Sequence, residues 1–326
     1  MANRSRTSAG LAGVRPGRRL RALPNQTAQP LEVTRHRLPG GLVRTARPRQ
    51  WIKNVLVFAA PGAAGVLLHS GVFGRSVAAF FLFCAASSGT YFLNDAVDVA
   101  ADRLHPVKRN RPIAAGVVPL PMAWFMAGLL MAASIGLSAL LAPTMVAVTG
   151  AYVLTTIAYS LRLKHEPILD IGAVAAGFVL RAIAGGVATG VALSDWFLIV
   201  ASFGSLFMVV GKRHAEHVGL GEGRAGHRAT LAAYSLGYLR YVRSVSSSVA
   251  IAGYCLWAFE KAKPAGHAGF WFELSIAPFV LAMLRYALVI DAGEGGAPED
   301  VVLGDRVIQA LGAAWLTCFA LGVYGV

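Results

Sequence analysis

Acid is what this chain has least of. Only 16 of its 326 residues are Asp or Glu, against 30 Lys and Arg, and the formal net charge is +14. Charged residues of both signs make up 14% of the chain, where a soluble globular domain carries about 25%. That scarcity argues against an ordinary soluble fold. Cysteine is rare as well: Cys84, Cys255 and Cys318 are the three. They lie far apart inside apolar runs, in no CxxC or Cys/His spacing, so neither a disulfide framework nor a zinc site is supported. GxSxG, HExxH, a Walker A loop and a strand-borne GxGxxG are also missing. A hydrolase nucleophile or a bound redox nucleotide therefore has no support.

Residues 1–45 lack the apolar stretch of roughly 7–15 residues that a cleavable signal peptide needs. They carry Arg4, Arg6, Arg15, Arg18, Arg19, Arg21, Arg35 and Arg37 among Pro and Gly. So polar a segment cannot bury enough apolar surface to fold alone, and disorder is expected. The domain division expected is a basic tail, 1–45, followed by a single domain, 46–326.

Long apolar runs fill that domain. Hydrophobic residues are 56% of the chain and the mean hydropathy is +0.58. An amphipathic anchor, RPRQWIKN (Arg47–Asn54), leads into a first span over 55–68, broken by Pro61-Gly62. Further spans are expected at Val77–Leu93, Val117–Leu140, Pro143–Leu161, Ile168–Val191, Trp196–Gly211, Val242–Phe259, Phe270–Ile290 and Val307–Val326. This predicts an all-α integral membrane protein with nine transmembrane helices, each long enough to cross the hydrocarbon core with modest tilt. Basic residues gather in alternate loops, at 95–116, 162–167, 212–240 and 291–306, while the other loops hold Arg75, Lys261 and Lys263. The positive-inside rule then puts the N-terminus in the cytoplasm and the C-terminus outside, in the cell membrane. Anionic lipids or substrates, rather than nucleic acid, are the expected partners.

Against this background the acids that do occur stand out. At 91–112 the chain reads YFLNDAVDVAADRLHPVKRNRP. On a continuing helix Asp95, Asp98 and Asp102 share one face. Three like charges there need a cation between them, most simply Mg²⁺, which takes oxygen ligands and keeps substrate phosphates in its shell. Arg103, Lys108, Arg109 and Arg111 follow at once. A second cytoplasmic set, YSLRLKHEPILDI (Tyr159–Ile171), supplies Tyr159, Lys164 and Asp170, the last expected in the first turn of its helix and aimed into the cavity. Asp170 there is also explained by the helix dipole alone. Arg181 lies deep in a span and must face a partner or a wet cavity. Lys212 and Arg213, where the sixth span emerges, suit an approaching phosphate or plain anchoring.

NDxxDxxxD at 94–102, after the second span, resembles the first aspartate-rich motif of the UbiA-type intramembrane prenyltransferases. RPRQWIKN resembles that family's opening, with Lys53 beside Asn54 and Asn54 matching a first-helix asparagine. The resemblance implies a nine-helix bundle whose motifs close over a cytoplasm-facing cavity. It also implies Mg²⁺ on Asp95, Asp98 and Asp102, with Asn94 and the nearby basic residues on the substrate. The second motif departs from the family pattern: Glu166 stands where most members have an aspartate, and only Asp170 matches. Longer blocks, YFLNDAVDVAADRLHPVKRNRPIAAGVVP, LRAIAGGVAT, GSLFMVVGKRHAE and LWAFE, resemble a phosphoribosyltransferase branch of the family. That branch implies 5-phosphoribosyl diphosphate (PRPP) as donor, decaprenyl or another polyprenyl phosphate as acceptor, and a lipid-linked ribose used for cell-wall arabinan. Two alternatives stay open, prenylation of an aromatic acceptor and a transporter, as do acceptor length and a homo-oligomer.

Overall fold

The computed structural model describes residues 38–219, 229–293 and 298–325. The expected basic tail lies outside these residues, except for 38–45. The described residues all fall in one compact unit. The described residues are helical with no strand, and seven stretches are long and apolar enough to cross a membrane.

Helix α1 (Leu38–Ala46) precedes a 3₁₀ segment, Pro48–Phe58, and a five-residue helix, α2 (Ala59–Ala63). The expected first span is thus broken well before Pro61. Next come α3 (Ser70–Val97), α4 (Val99–Leu104), α5 (Leu120–Ser138), α6 (Pro143–Leu161), α7 (Leu169–Thr189) and α8 (Asp195–Gly219). A short α9 (Ala229–Ala233) leads to α10 (Leu236–Ala262), α11 (Gly269–Asp291), α12 (Pro298–Gly304) and α13 (Arg306–Tyr324). One of the seven apolar stretches, Leu236–Asp291, is two helices, α10 and α11. They join through a 3₁₀ turn in which Gly266 has φ 56° and ψ −126°.

Local chemistry sets several of these boundaries. Proline at the first positions of α5 and α6 fits a turn whose N–H groups have no helical partner. Ser235 caps α10 by accepting from Tyr238 N, and Asp305 caps α13 by accepting from Val307 N and Ile308 N. Gly190, at φ 72°, ends α7 in the left-handed conformation that glycine adopts without strain. The two backbone hydrogen bonds at Asp305 and its Arg285 partner hold that carboxyl below the usual carboxylate range.

Helix α3 is the most enclosed of the spans, with 61% of its apolar window buried, against 11% for α13. It packs on α5, α6 and α7, while α8 lies along α10 and α11 along α13. The broken 3₁₀ segment docks on α7 at Gly185, where an added Cβ would lie 1.9 Å from the Val57 carbonyl oxygen. No side chain fits there. Large apolar groups left outside, among them Phe125, Leu137, Leu154, Leu284 and Leu288, suit lipid rather than water.

Candidate active site

The acidic motif begins inside α3 and runs through a break. Asp98 sits between α3 and α4 with φ −86° and ψ 3°, so the helix does not continue regularly as expected. Hydrogen bonds from Asp98 N to Asn94 O (2.9 Å) and from Asp102 N to Asp98 O (2.8 Å) nevertheless keep the helical spacing. The shared face divides in two. Asp95 and Asp102, both 2% exposed, meet one nitrogen: Arg111 Nη1 donates to Asp95 Oδ1 at 3.0 Å and to Asp102 Oδ2 at 2.7 Å. Asp98 turns instead to Lys164, whose Nζ lies 2.6 Å from its Oδ1.

Asp95 has a second cation. Arg47 Nη2 donates to the same Oδ1 at 2.6 Å, and its guanidinium carbon sits 4.7 Å from the centre of the Tyr91 ring. Arg47 reaches this place from a left-handed backbone, φ 53°, between α1 and Pro48. A cleft of about 280 Å³ opens beside these groups, lined by Arg44, Arg47, Asp95, Val107, Asn110, Arg111 and Pro112. Among the described residues no three His, Cys, Asp or Glu side chains form a metal cage by themselves. What the site presents is an alternation of carboxylates and cations. Such a surface suits a ligand that brings phosphate and metal together.

Lys164 ties the second predicted set to the first across 66 positions. Asp170 behaves differently. It lies in the first turn of α7, as expected, but it is 0% exposed and packed among side chains rather than open to a cavity. Arg213 Nε from α8 donates to its Oδ2 at 3.1 Å, and Tyr234 donates to its Oδ1. Thr230 reaches the same carboxylate at 3.5 Å. Tyr234 also accepts from the N–H of Ile168, a β-branched residue held at φ 69°, which is unfavourable for its type. Burial first, and then donation to Asp170, push the Tyr234 phenol above its ordinary pKa. Arg213 is itself 3% exposed and also pairs with Glu216 at 3.1 Å. This second set is a buried brace joining α7, α8 and the segment before α10.

Arg181 and Asn54, both candidates from sequence, pair with each other in the core. Arg181 Nε donates to Asn54 Oδ1 at 2.6 Å, Nη1 to Gly177 O at 2.7 Å and Nη2 to Tyr152 Oη at 2.8 Å. Asn54 passes its own N–H to Cys84 Sγ and Ser87 Oγ. The network fastens the broken 3₁₀ segment to α6 and α7, which satisfies an arginine otherwise costly at membrane depth. Lys53 bonds Gln50, and Arg103 Nε donates to Ala114 O at 3.3 Å. Asn94, Tyr159, Lys108 and Lys212 are half-buried, and Arg109 is exposed. Residues that the sequence did not single out are Arg47, Tyr152, Thr230 and Tyr234. Arg47 stood at the head of a quoted block, whereas the other three carry no local signal.

An all-helical, multi-pass membrane protein with an acidic-basic site at the end of an enclosed helix defines the class. The chain belongs to the UbiA prenyltransferase family, which it matches over residues 55–323. It is 46% identical over 291 residues to a Corynebacterium glutamicum protein named decaprenyl-phosphate phosphoribosyltransferase, covering 88% of each chain. A Mycolicibacterium smegmatis protein of the same name is 44% identical over 310 residues, covering 92% of this chain and 98% of that one. The fold is similar to that of a UbiA homologue from Archaeoglobus fulgidus solved with DMAPP and Mg²⁺. That likeness has a TM-score of 0.67 at 17% identity, over 88% of this chain and 99% of the other.

Proposed function

We propose that this protein transfers a 5-phosphoribosyl group from PRPP to a polyprenyl phosphate, decaprenyl phosphate in the first instance, and releases diphosphate. The observation that carries the choice of substrates is the near full-length kinship to two proteins of that name. The site supports it, because both substrates are anionic and Arg44, Arg47, Lys164 and Arg111 gather around the motif carboxylates.

An ionised oxygen of the acceptor phosphate attacks C1 of the ribose. The bond from C1 to the diphosphate breaks, and its electron pair leaves with the diphosphate. Inversion at C1 is expected for one displacement. The acceptor is already charged at neutral pH, so no strong general base is needed, and positioning with electrostatics suffices. Arg47 and Arg111 border the cleft and are placed to bind phosphate oxygens. Lys164 holds Asp98, and the Asp170 brace fixes α7, the helix into which the Lys164 loop leads.

Asp95, Asp98 and Asp102 would hold Mg²⁺ together with donor phosphates. Their donors are all hard oxygens, and a cationic nitrogen already lies between the first and the last. When bound, the ion supplies neutralisation of charge on the departing diphosphate. Nine crossings, an N-terminus in the cytoplasm, a site facing the cytosol of the cell membrane and a separate basic tail complete the proposal. The basic loops support that orientation.

The test is transfer itself. Membranes containing the protein, given labelled PRPP and polyprenyl phosphate, should yield lipid-linked label. No such label, with prenylation of a quinone precursor from prenyl diphosphate, would reverse the choice of donor.

A further inference from the structure

One nitrogen serves two buried carboxylates at the end of α3. Arg111 Nη1 contacts Asp95 Oδ1 and Asp102 Oδ2, at 3.0 and 2.7 Å. A divalent ion that took both oxygens would need the position this nitrogen fills. Arg47, the other partner of Asp95, lies against the Tyr91 ring and leaves Asp102 alone. Arg111 instead comes from the loop after α4, with its side chain 27% exposed beside the cleft that also holds Arg44 and Asn110. It has somewhere to go.

Displacement alone is unfavourable. A doubly charged ion and a guanidinium a few ångströms apart repel unless an anion lies between them. A diphosphate provides that anion, binding the ion on one side and the guanidinium on the other. We propose that Arg111 is an exchange cation, which neutralises Asp95 and Asp102 until a metal-bound diphosphate takes over the carboxylates and then turns onto the diphosphate. Metal and diphosphate thereby become mutually dependent ligands, each raising the affinity of the other by the same factor. The inference rests on the reading above only in placing a metal-bound diphosphate at these carboxylates.

The probe is Mn²⁺, followed by its spin-resonance signal on the purified full chain, with and without inorganic diphosphate. Wild type should bind Mn²⁺ weakly alone and much more tightly with diphosphate. Arg111→Gln should bind Mn²⁺ alone about tenfold more tightly, because a competing charge-assisted bond is gone. Its gain from added diphosphate should shrink. Arg111→Lys, which keeps the charge but not the planar fork, should fall between the two. Arg111→Gln binding Mn²⁺ no better than wild type overturns the exchange, and so does an undiminished gain from diphosphate. If Arg111→Gln does not fold, the Lys variant decides: Mn²⁺ affinity and diphosphate gain both equal to wild type count against the proposal. PRPP does not enter these measurements. A wild type that shows the Mn²⁺ pattern but makes no lipid-linked label would leave the exchange standing and remove the choice of donor.

Discussion

The two acidic sets are built on opposite plans. Around Asp95, Asp98 and Asp102 the cations arrive from loops and are partly exposed: Arg47 30%, Arg111 27%, Lys164 15%, with Asp98 itself at 30%. Around Asp170 the central pair is enclosed, with Asp170 at 0% and Arg213 at 3%, while Arg213's second partner, Glu216, borders water at 26%. A cation at the edge of water costs little to release, provided that another cation takes over the buried carboxylates it leaves. A pair taken out of water is tolerated only when its partners stay in place. The first set can therefore exchange ligands, and the second holds helices. Substitutions should separate them by what they damage.

The largest expected effect is on activity at the first set. Asp98→Ala should lower turnover at least on the order of a hundredfold, by analogy with the loss of one transition-state charge partner. The melting temperature should stay near that of the parent, since Asp98 and Lys164 both border solvent. Label transfer from PRPP and thermal unfolding in detergent measure the two sides. A variant with full activity would falsify the role given to this carboxylate. Asp170→Asn should do the reverse, costing stability first, on the order of 2 kcal/mol, because buried Arg213 loses the enclosed one of its two carboxylate partners and keeps only half-buried Glu216. Unfolding in detergent reads this directly. An unchanged melting temperature would dissolve the distinction between the two sets.

The difference also explains how much could be read from the chain. Asp95, Asp98, Asp102, Lys164 and the helices around them were legible because scarcity made them conspicuous: few acids occur, and these stand at the end of an apolar run. Apolar length alone placed Pro143–Leu161 to the residue. The Lys164 link to Asp98 and the burial of Asp170 were not legible, since both depend on contacts across more than 40 positions. The break in the first span was not legible either, and again for a long-range reason. Its 3₁₀ geometry depends on docking against Gly185, which no pattern within 48–58 announces.

Tyr234 gives the smallest and most specific test of the brace. Its folded-state pKa is raised, so the folded chain binds this proton more tightly than the unfolded chain does. The resulting stability is fully present below the unfolded value, about pH 10, and is lost as pH climbs from there toward the raised folded value. Tyr234→Phe removes the phenol and one charge-assisted bond to Asp170, a loss of roughly 1–2 kcal/mol near neutral pH. The variant should then lack the alkaline decline contributed by this group, so the two unfolding curves should converge above about pH 10. Parallel curves up to pH 11 would mean that the phenol does not report on the brace. The Asp98→Ala chain supplies the control: its first set is altered and its brace intact, so its alkaline decline should match that of the parent.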